Sequence, residues 1–462
     1  MTVEASAQRR VTGLDGIRGL AALFVVVHHT YLESFPGYPV NTGPSWLSWL
    51  LYGHLAVVVF IALSGFSLAV APARRAWQLG GKARFAHRRA WRILPPYWAA
   101  LIFSVIMAWA VAPQPGSPPP DGKAVAVYGL LLQDVFGSSV PNGAFWSIAV
   151  EAQLYLVFPL LLLTVRRISS VVMVTAVTLV VCTIGALAPH VHVVDMLMRF
   201  TPQMAVLFAL GLATAGILRA SERVRNLPWH WFAVAATVPV LILCIVEGTV
   251  WWENEHFWAD LAWAPAIGLM LVAVATGKAK SFKRLLDTAP VRELGKFSYS
   301  LYLIHAPIVV AISARVIGPR MEPGLPRFLA TLALVLPLSL IGARLFAAVF
   351  EIPFTRHRSW SALRDAARAR LGRPPLAAPT SPAAPTGPLA SAEAALAGSA
   401  ATPAGSAATP AGSAAAPAGS ASAPVGAAAA PAGSVSIGPA APAGPAGPTA
   451  PAIALTTSAE PE

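Results

Sequence analysis

Ten apolar runs recur along the chain, at about 15–33, 53–71, 93–112, 146–165, 170–188, 200–218, 229–247, 258–276, 298–317 and 328–350. Each is roughly 18 to 23 residues long, which at 1.5 Å per residue is the helix length that crosses the hydrocarbon core of a bilayer. In hydrocarbon every backbone polar group must find its partner within the protein, so runs of this length and number specify an all-α polytopic membrane protein. Composition agrees: 11% of the 462 residues are charged and 56% are hydrophobic. A water-facing surface needs about 25% charged residues, which excludes an ordinary soluble enzyme. A weaker apolar piece near 124–136 carries Gln133 and Asp134 between loop signals, and it reads as an interfacial or re-entrant segment rather than an eleventh span.

The net charge of +13 would ordinarily suggest nucleic acid, but the basic residues are periodic along the chain. The even-numbered connections and both flanks hold 27 of the 33 lysines and arginines. Short cytoplasmic loops retain positive charge, so ten spans with both termini cytoplasmic are expected. The seventh connection is acidic instead, with Glu247, Glu253 and Glu255 beside Trp251 and Trp252. Trp46, Trp49, Trp251, Trp252 and Trp258 are then expected to form an outer aromatic belt. The first continuous hydrophobic stretch begins after Arg18 and shows no small-residue cleavage site before the loop at 33–36, so it is expected to stay as the first span.

The expected organisation is a cytoplasmic N-terminal segment (1–13), a transmembrane domain (14–356), a basic juxtamembrane segment (357–373) and a tail (374–462). The tail is rich in Ala, Pro, Gly and Ser, has no Lys or Arg, and repeats an imperfect heptad at 401–421. It cannot bury enough apolar surface to offset chain entropy and should be disordered. The two cysteines, Cys182 and Cys244, both lie in apolar runs, so they read as core residues and neither a disulfide scaffold nor a metal site is expected.

Ionisable groups inside spans are costly and mark functional sites. Here they are Arg18, His28, His29, Glu151, His305 and Arg344, with Glu351 at a span end. Arg18 and His29 are eleven residues apart, about 20° beyond three turns, and so share one helix face about 16 Å apart. His28 points about 100° away from that face. Glu151 is expected near the outer end of its span at the depth of His29, where a carboxylate could orient the imidazole for proton removal from a hydroxyl. At the other end Arg89 and Arg92, three apart on one helix surface, suit a phosphate clamp with no competing carboxylate. A snorkelling arginine with a packing histidine, a hydrogen-bonded structural glutamate and plain positive-inside anchoring are the structural alternatives. Ser64, beside Gly65, reads as a small packing residue.

Six segments together resemble the acyltransferase-3 family of integral membrane acyltransferases. LDGIRGLAALFVVVHH (14–29) is similar to its opening motif, met here by Arg18 and His29. VVVFIALSGFSLA (57–69) is similar to its second-span pattern around Ser64, Gly65 and Phe66. RRAWRILPPYW (88–98) resembles its Arg-x-x-Arg-Ile-x-Pro motif, and FWSIAVEAQLYLVFP (145–159) its Trp-Ser-Leu-x-x-Glu-Glu-x-x-Tyr pattern at Trp146 and Glu151. LGKFSYSLYLIHAPI (294–308), with Tyr302 and His305, and EIPF (351–354), with Glu351, match its closing motifs. The chain departs from the family at Ala152, where many members have a second Glu, and at Leu154, which replaces a common aromatic.

The resemblance implies a multi-pass protein of a bacterial plasma membrane. Such an enzyme moves an acyl group, acetyl in the usual case, from cytoplasmic acyl-coenzyme A to a hydroxyl of a sugar or glycosylated acceptor. Acyl-coenzyme A is then a co-substrate, with no bound cofactor, and the partners are donor, carbohydrate acceptor and bilayer, with no nucleic acid. His29 and Glu151 would be catalytic, and Arg18, Arg89 and Arg92 would bind the donor. Ser64, Trp146, Tyr302, His305 and Glu351 would support them. The alternative on the polar residues alone is a transporter or flippase for a lipid-linked glycan. Topology reporters fused at Arg166, Glu253 and Arg364 should read inside, outside and inside; an inside reading at Glu253 overturns the ten-span assignment.

Overall fold

A computed structural model describes residues 13–357 and 359–370. The tail expected to be disordered (374–462) and nearly all of the N-terminal segment lie outside the described residues. All ten expected runs are helical, and among the described residues no strand occurs. The helices that frame the site are α1 (Leu14–Ser34), α2 (His54–Ala73), α3 (Lys82–Ala110), α4 (Gly122–Gly129), α5 (Trp146–Arg167), α6 (Ser170–Leu187), α7 (His192–Met198) and α8 (Gln203–Thr214). They are followed by α9 (Trp229–Asn254), α10 (His256–Ala275), α11 (Ala289–Lys296), α12 (Ser298–Ala311), α13 (Leu325–Phe346) and α14 (Trp360–Arg370).

Among the described residues eight helices are long and apolar enough to cross a membrane. A ninth forms if α7 and α8, bent by 53° with the 3-10 turn that continues α8, make one span. The expected ten is reached in helix position but not in apolarity, because 21-residue α1 carries Asp15, Arg18, His28, His29 and Glu33. Yet α1 is central. It packs on α2, α11, α12 and α13 and buries Ile17, Ala22, Val25 and Val26.

Glycines decide how closely these helices cross. A Cβ built on Gly65 of α2 would lie 2.1 Å from the Phe208 carbonyl of α8, and one on Gly211 of α8 would lie 1.9 Å from the Ala62 carbonyl of α2. The two backbones are therefore in direct contact, as small residues permit between membrane helices. At the N-terminal end of α1, Gly16 meets the Leu286 backbone and Gly19 the backbone of Gly295 in α11 in the same way.

The 124–136 segment is too short to cross: α4 has eight residues, about 12 Å. Asp121 caps it by accepting from the Ala124 amide at 2.7 Å. The α3 side chains pin its C-terminal end, Tyr97 donating to the Tyr128 carbonyl at 2.8 Å and Trp98 to the Gly129 carbonyl at 2.9 Å.

The aromatic belt needs one correction. Trp46, Trp49 and Trp258 are exposed, but Trp252 is buried with Val240, Cys244 and Ala259. The kink at Gly248 in α9 separates it from the straight helix on which a belt position would be counted.

The connection from α1 to α2 folds over one end of the bundle, opposite the end holding Arg18. Its 3-10 turn (Ser45–Tyr52) presents the Leu50 carbonyl to His28. Tyr38 donates to the Glu253 carboxylate, and Thr249 donates to the Pro39 carbonyl at 2.7 Å, which ties this cover to α9. Burial and the neighbouring Glu253 charge push the Tyr38 phenol well above its ordinary range, so it remains a donor.

Gly65→Val should force α2 and α8 apart, since the added carbon meets backbone that cannot rotate away. We expect a loss of about 1–3 kcal/mol. This would be read as lower thermal stability of the detergent-solubilised protein; wild-type stability would show that the crossing is not rigid.

Candidate active site

Three helices line the bundle interior with polar side chains at helical spacing. Tyr155, Glu151 and Ser147 recur every four residues on one face of α5, Ser64 and Ser67 are three apart on α2, and Tyr302 and His305 are three apart on α12. With Arg18 and His29 of α1 they form a polar spine through an apolar core.

At the basic end, Arg18 donates to Ser67 Oγ at 2.7 Å and to Asp15 Oδ1 at 3.0 Å. Ser64 donates to Glu151 Oε1 at 2.7 Å, and the Tyr155 hydroxyl donates to the same oxygen. The Arg89 guanidinium lies 6.0 Å from the Tyr155 ring and 5.9 Å from the Phe85 ring, within cation–π range, with its buried Nε unpartnered. Arg92 is exposed beside them, and its charge acts on Arg18, Arg89 and Glu351. Glu351 is held by the Ser300 hydroxyl at 2.6 Å and the Ser300 amide at 3.2 Å. The three arginines lie at one end of the spine, but that end is not free of carboxylates. Asp15, Glu151 and Glu351 sit among them, because packed helices bring together charges far apart in sequence.

The opposite end is built from imidazoles. His29 Nδ1 is 2.9 Å from the Val25 carbonyl, and His305 Nδ1 is 2.7 Å from the Tyr302 carbonyl. A carbonyl oxygen can only accept, so each Nδ1 carries a proton and each Nε2 a lone pair. His29 Nδ1 is also 3.4 Å from His305 Nε2, which makes His305 the second acceptor of that N–H. His29 Nε2 is left as a basic lone pair. His28 turns away and donates to the Leu50 carbonyl at 2.7 Å, its ring on Gly53, where a Cβ would lie 2.1 Å from it.

Glu151 does not orient His29. Its partners are Ser64 and Tyr155, whereas the level next to His305 is occupied by Ser147, which meets the Tyr302 hydroxyl at 2.7 Å. Glu151 lies one turn, about 6 Å, further towards the arginines. Counting from span ends misplaces it because such counts do not fix the depth of α5 relative to α1. Ser64, which reads from its setting beside Gly65 as a packing residue, is a hydrogen-bond partner of Glu151. Trp146 stacks on His54 with ring centres 5.4 Å apart. Arg344 lies outside the spine, exposed and 3.8 Å from Glu293.

Residues 11–344 match the acyltransferase domain that defines the acyltransferase-3 family. The chain belongs to that family. It is an O-acyltransferase built of membrane helices. The acyltransferase MdmB of Streptomyces mycarofaciens is 26% identical over 380 residues, 75% of this chain and 92% of that protein. The peptidoglycan O-acetyltransferase OatA of Listeria monocytogenes is 22% identical over 66% of this chain and 50% of its own length. The O-acetyltransferase OatA of Staphylococcus aureus is 23% identical over 66% of this chain and 52% of its own length. The chain thus spans most of MdmB and about half of the two OatA proteins. No solved structure matches it.

Sequence reading missed several polar residues of this acyltransferase. Tyr155 had a signal, four residues after Glu151 on the same face. Ser67 had none, since a lone serine in an apolar run is ordinary. Asp260 and His54 carry no signal because each sits at the edge of its run, where charge is tolerated. In the structure Asp260 is fully buried and its Oδ2 is 3.0 Å from His54 Nε2.

Proposed function

We propose that this acyltransferase takes an acetyl group from acyl-coenzyme A at its basic, cytoplasmic end. In the same reading it delivers that group to a carbohydrate hydroxyl near the covered, opposite end, in a bacterial plasma membrane. The observation that carries the reading is the polar spine. It joins converged arginines to an imidazole lone pair across about 16 Å of otherwise apolar bundle.

Arg18, Arg89 and Arg92 supply the fixed donors that phosphates require, and planar guanidinium groups bind them bidentately. Asp15 and Ser67 hold Arg18 in place and occupy part of its donor set. His29 Nε2 takes the proton of the acceptor hydroxyl as its oxygen attacks the thioester carbon. The new C–O bond forms, the C–S bond breaks, and the proton passes from His29 to the departing thiolate. The His29 Nδ1–H, held by Val25 and His305, keeps the ring in the basic tautomer at Nε2 and steadies the imidazolium. No covalent acyl-enzyme is needed. The two OatA relatives are named O-acetyltransferases, one of them for peptidoglycan, which supports a glycan acceptor and an acetyl group.

His29→Ala should lower acetyl transfer by about 10²-fold or more while coenzyme A still binds. Arg89→Ala and Arg92→Ala should each weaken coenzyme A binding by about 1.5–3 kcal/mol, measured by titration of the purified protein. Transfer unchanged in His29→Ala, or coenzyme A affinity unchanged in both arginine variants, overturns the corresponding role.

A further inference from the structure

The reaction outlined above leaves a second buried constellation unused. Asp260 of α10 is fully buried, and its Oδ2 accepts from His54 Nε2 at 3.0 Å and from Gln203 Nε2 at 3.2 Å. Asp260 Oδ1 and Gln203 Oε1 are buried with no partner among the described residues. A carboxylate in an apolar bundle with one oxygen unpaired is costly to keep. Its evident product is a His54 ring held by its Nε2–H, flat on Trp146 at an interplanar angle of 4°. Nδ1 of His54 then carries the lone pair, and the side chain is still 23% exposed.

The contacts place this ring beside the first imidazole site. His28 lies on Gly53, next to His54 in the chain, and its ring is 5.0 Å from that of His29. On the other side Trp146 adjoins Ser147, which meets Tyr302, whose ring is 5.8 Å from that of His305. One closed circuit of contacts therefore carries two ring nitrogens that the hydrogen bonds above do not use, Nε2 of His29 and Nδ1 of His54. Each accepts one O–H.

We propose that His54, positioned by Asp260 and Gln203, binds a second hydroxyl of the acceptor beside the one His29 deprotonates. The acceptor therefore presents two neighbouring hydroxyls, one attacked at His29 and one held at His54. This rests on the acyl-transfer reading and deepens it, since it states what the acceptor must present.

The test uses membranes of a strain lacking the chromosomal copy, carrying the full chain and its own acceptor, with radiolabelled acetyl-coenzyme A. Asp260→Asn and His54→Ala should each lower label transfer at least about tenfold, with coenzyme A affinity and thermal stability kept. Where His54→Ala does not fold, His54→Gln replaces it. Added imidazole should restore transfer to His54→Ala, and pyrrole, of the same shape but not basic, should not. In the wild type, trans-1,2-cyclohexanediol should compete about fivefold to tenfold better than cyclohexanol, the range of one hydrogen bond. Undiminished transfer in Asp260→Asn, equal rescue by imidazole and pyrrole, or equal competition by the two alcohols overturns the proposal. Absence of transfer in wild-type membranes strikes the acyl-transfer reading itself, and this one with it.

Discussion

Burying an ionisable group among membrane helices removes it from water at a cost of several kcal/mol, and only fixed polar partners offset that cost. The charged groups along the spine are held in those terms. Arg18 is held by Ser67 and Asp15, Glu151 by Ser64 and Tyr155, and Glu351 by Ser300. Because partners come from different helices, satisfying them also sets which helix faces turn inward. The polar spine and the fold are therefore one solution to the same desolvation problem.

Short side chains can bridge helices only if the backbones approach closely. Ser64 reaches Glu151 from a helix whose next residue, Gly65, lies against the α8 backbone. At the other end of the bundle Gly53 lets the His28 ring lie against the chain. The glycines thus connect packing to chemistry: they allow contacts of 2.7 Å between groups that larger residues would hold apart.

The two ends of the spine differ in kind. Guanidinium groups cannot lose their charge, so the basic end is a permanent cationic surface suited to phosphates. The covered end is made of imidazoles whose tautomers are set by backbone carbonyls and by Asp260, which leaves neutral lone pairs suited to accepting protons. The strap from α1 to α2, tied down at Tyr38 and Pro39, closes over that end. Such a cover shields the imidazoles from bulk water, the condition under which fixed hydrogen bonds act most strongly.

The length of the apolar runs determined that the chain is a helical membrane protein, because hydrocarbon permits few other backbones. The residue order around Arg18, Arg89, Glu151 and His305 determined the family. The eleven-residue spacing also placed Arg18 and His29 on one face, since helix geometry is local. Which residues meet was another matter. Glu151 joins Ser64 and Tyr155 rather than His29, Asp15 and Glu351 enter the arginine cluster, and Asp260 reaches His54 across 206 positions. These pairings depend on relative depth and rotation of neighbouring helices, set by close packing at glycines such as Gly65 and Gly211. A hydropathy pattern repeats along one helix and carries no information about the height of the next, so only the tertiary structure could decide them.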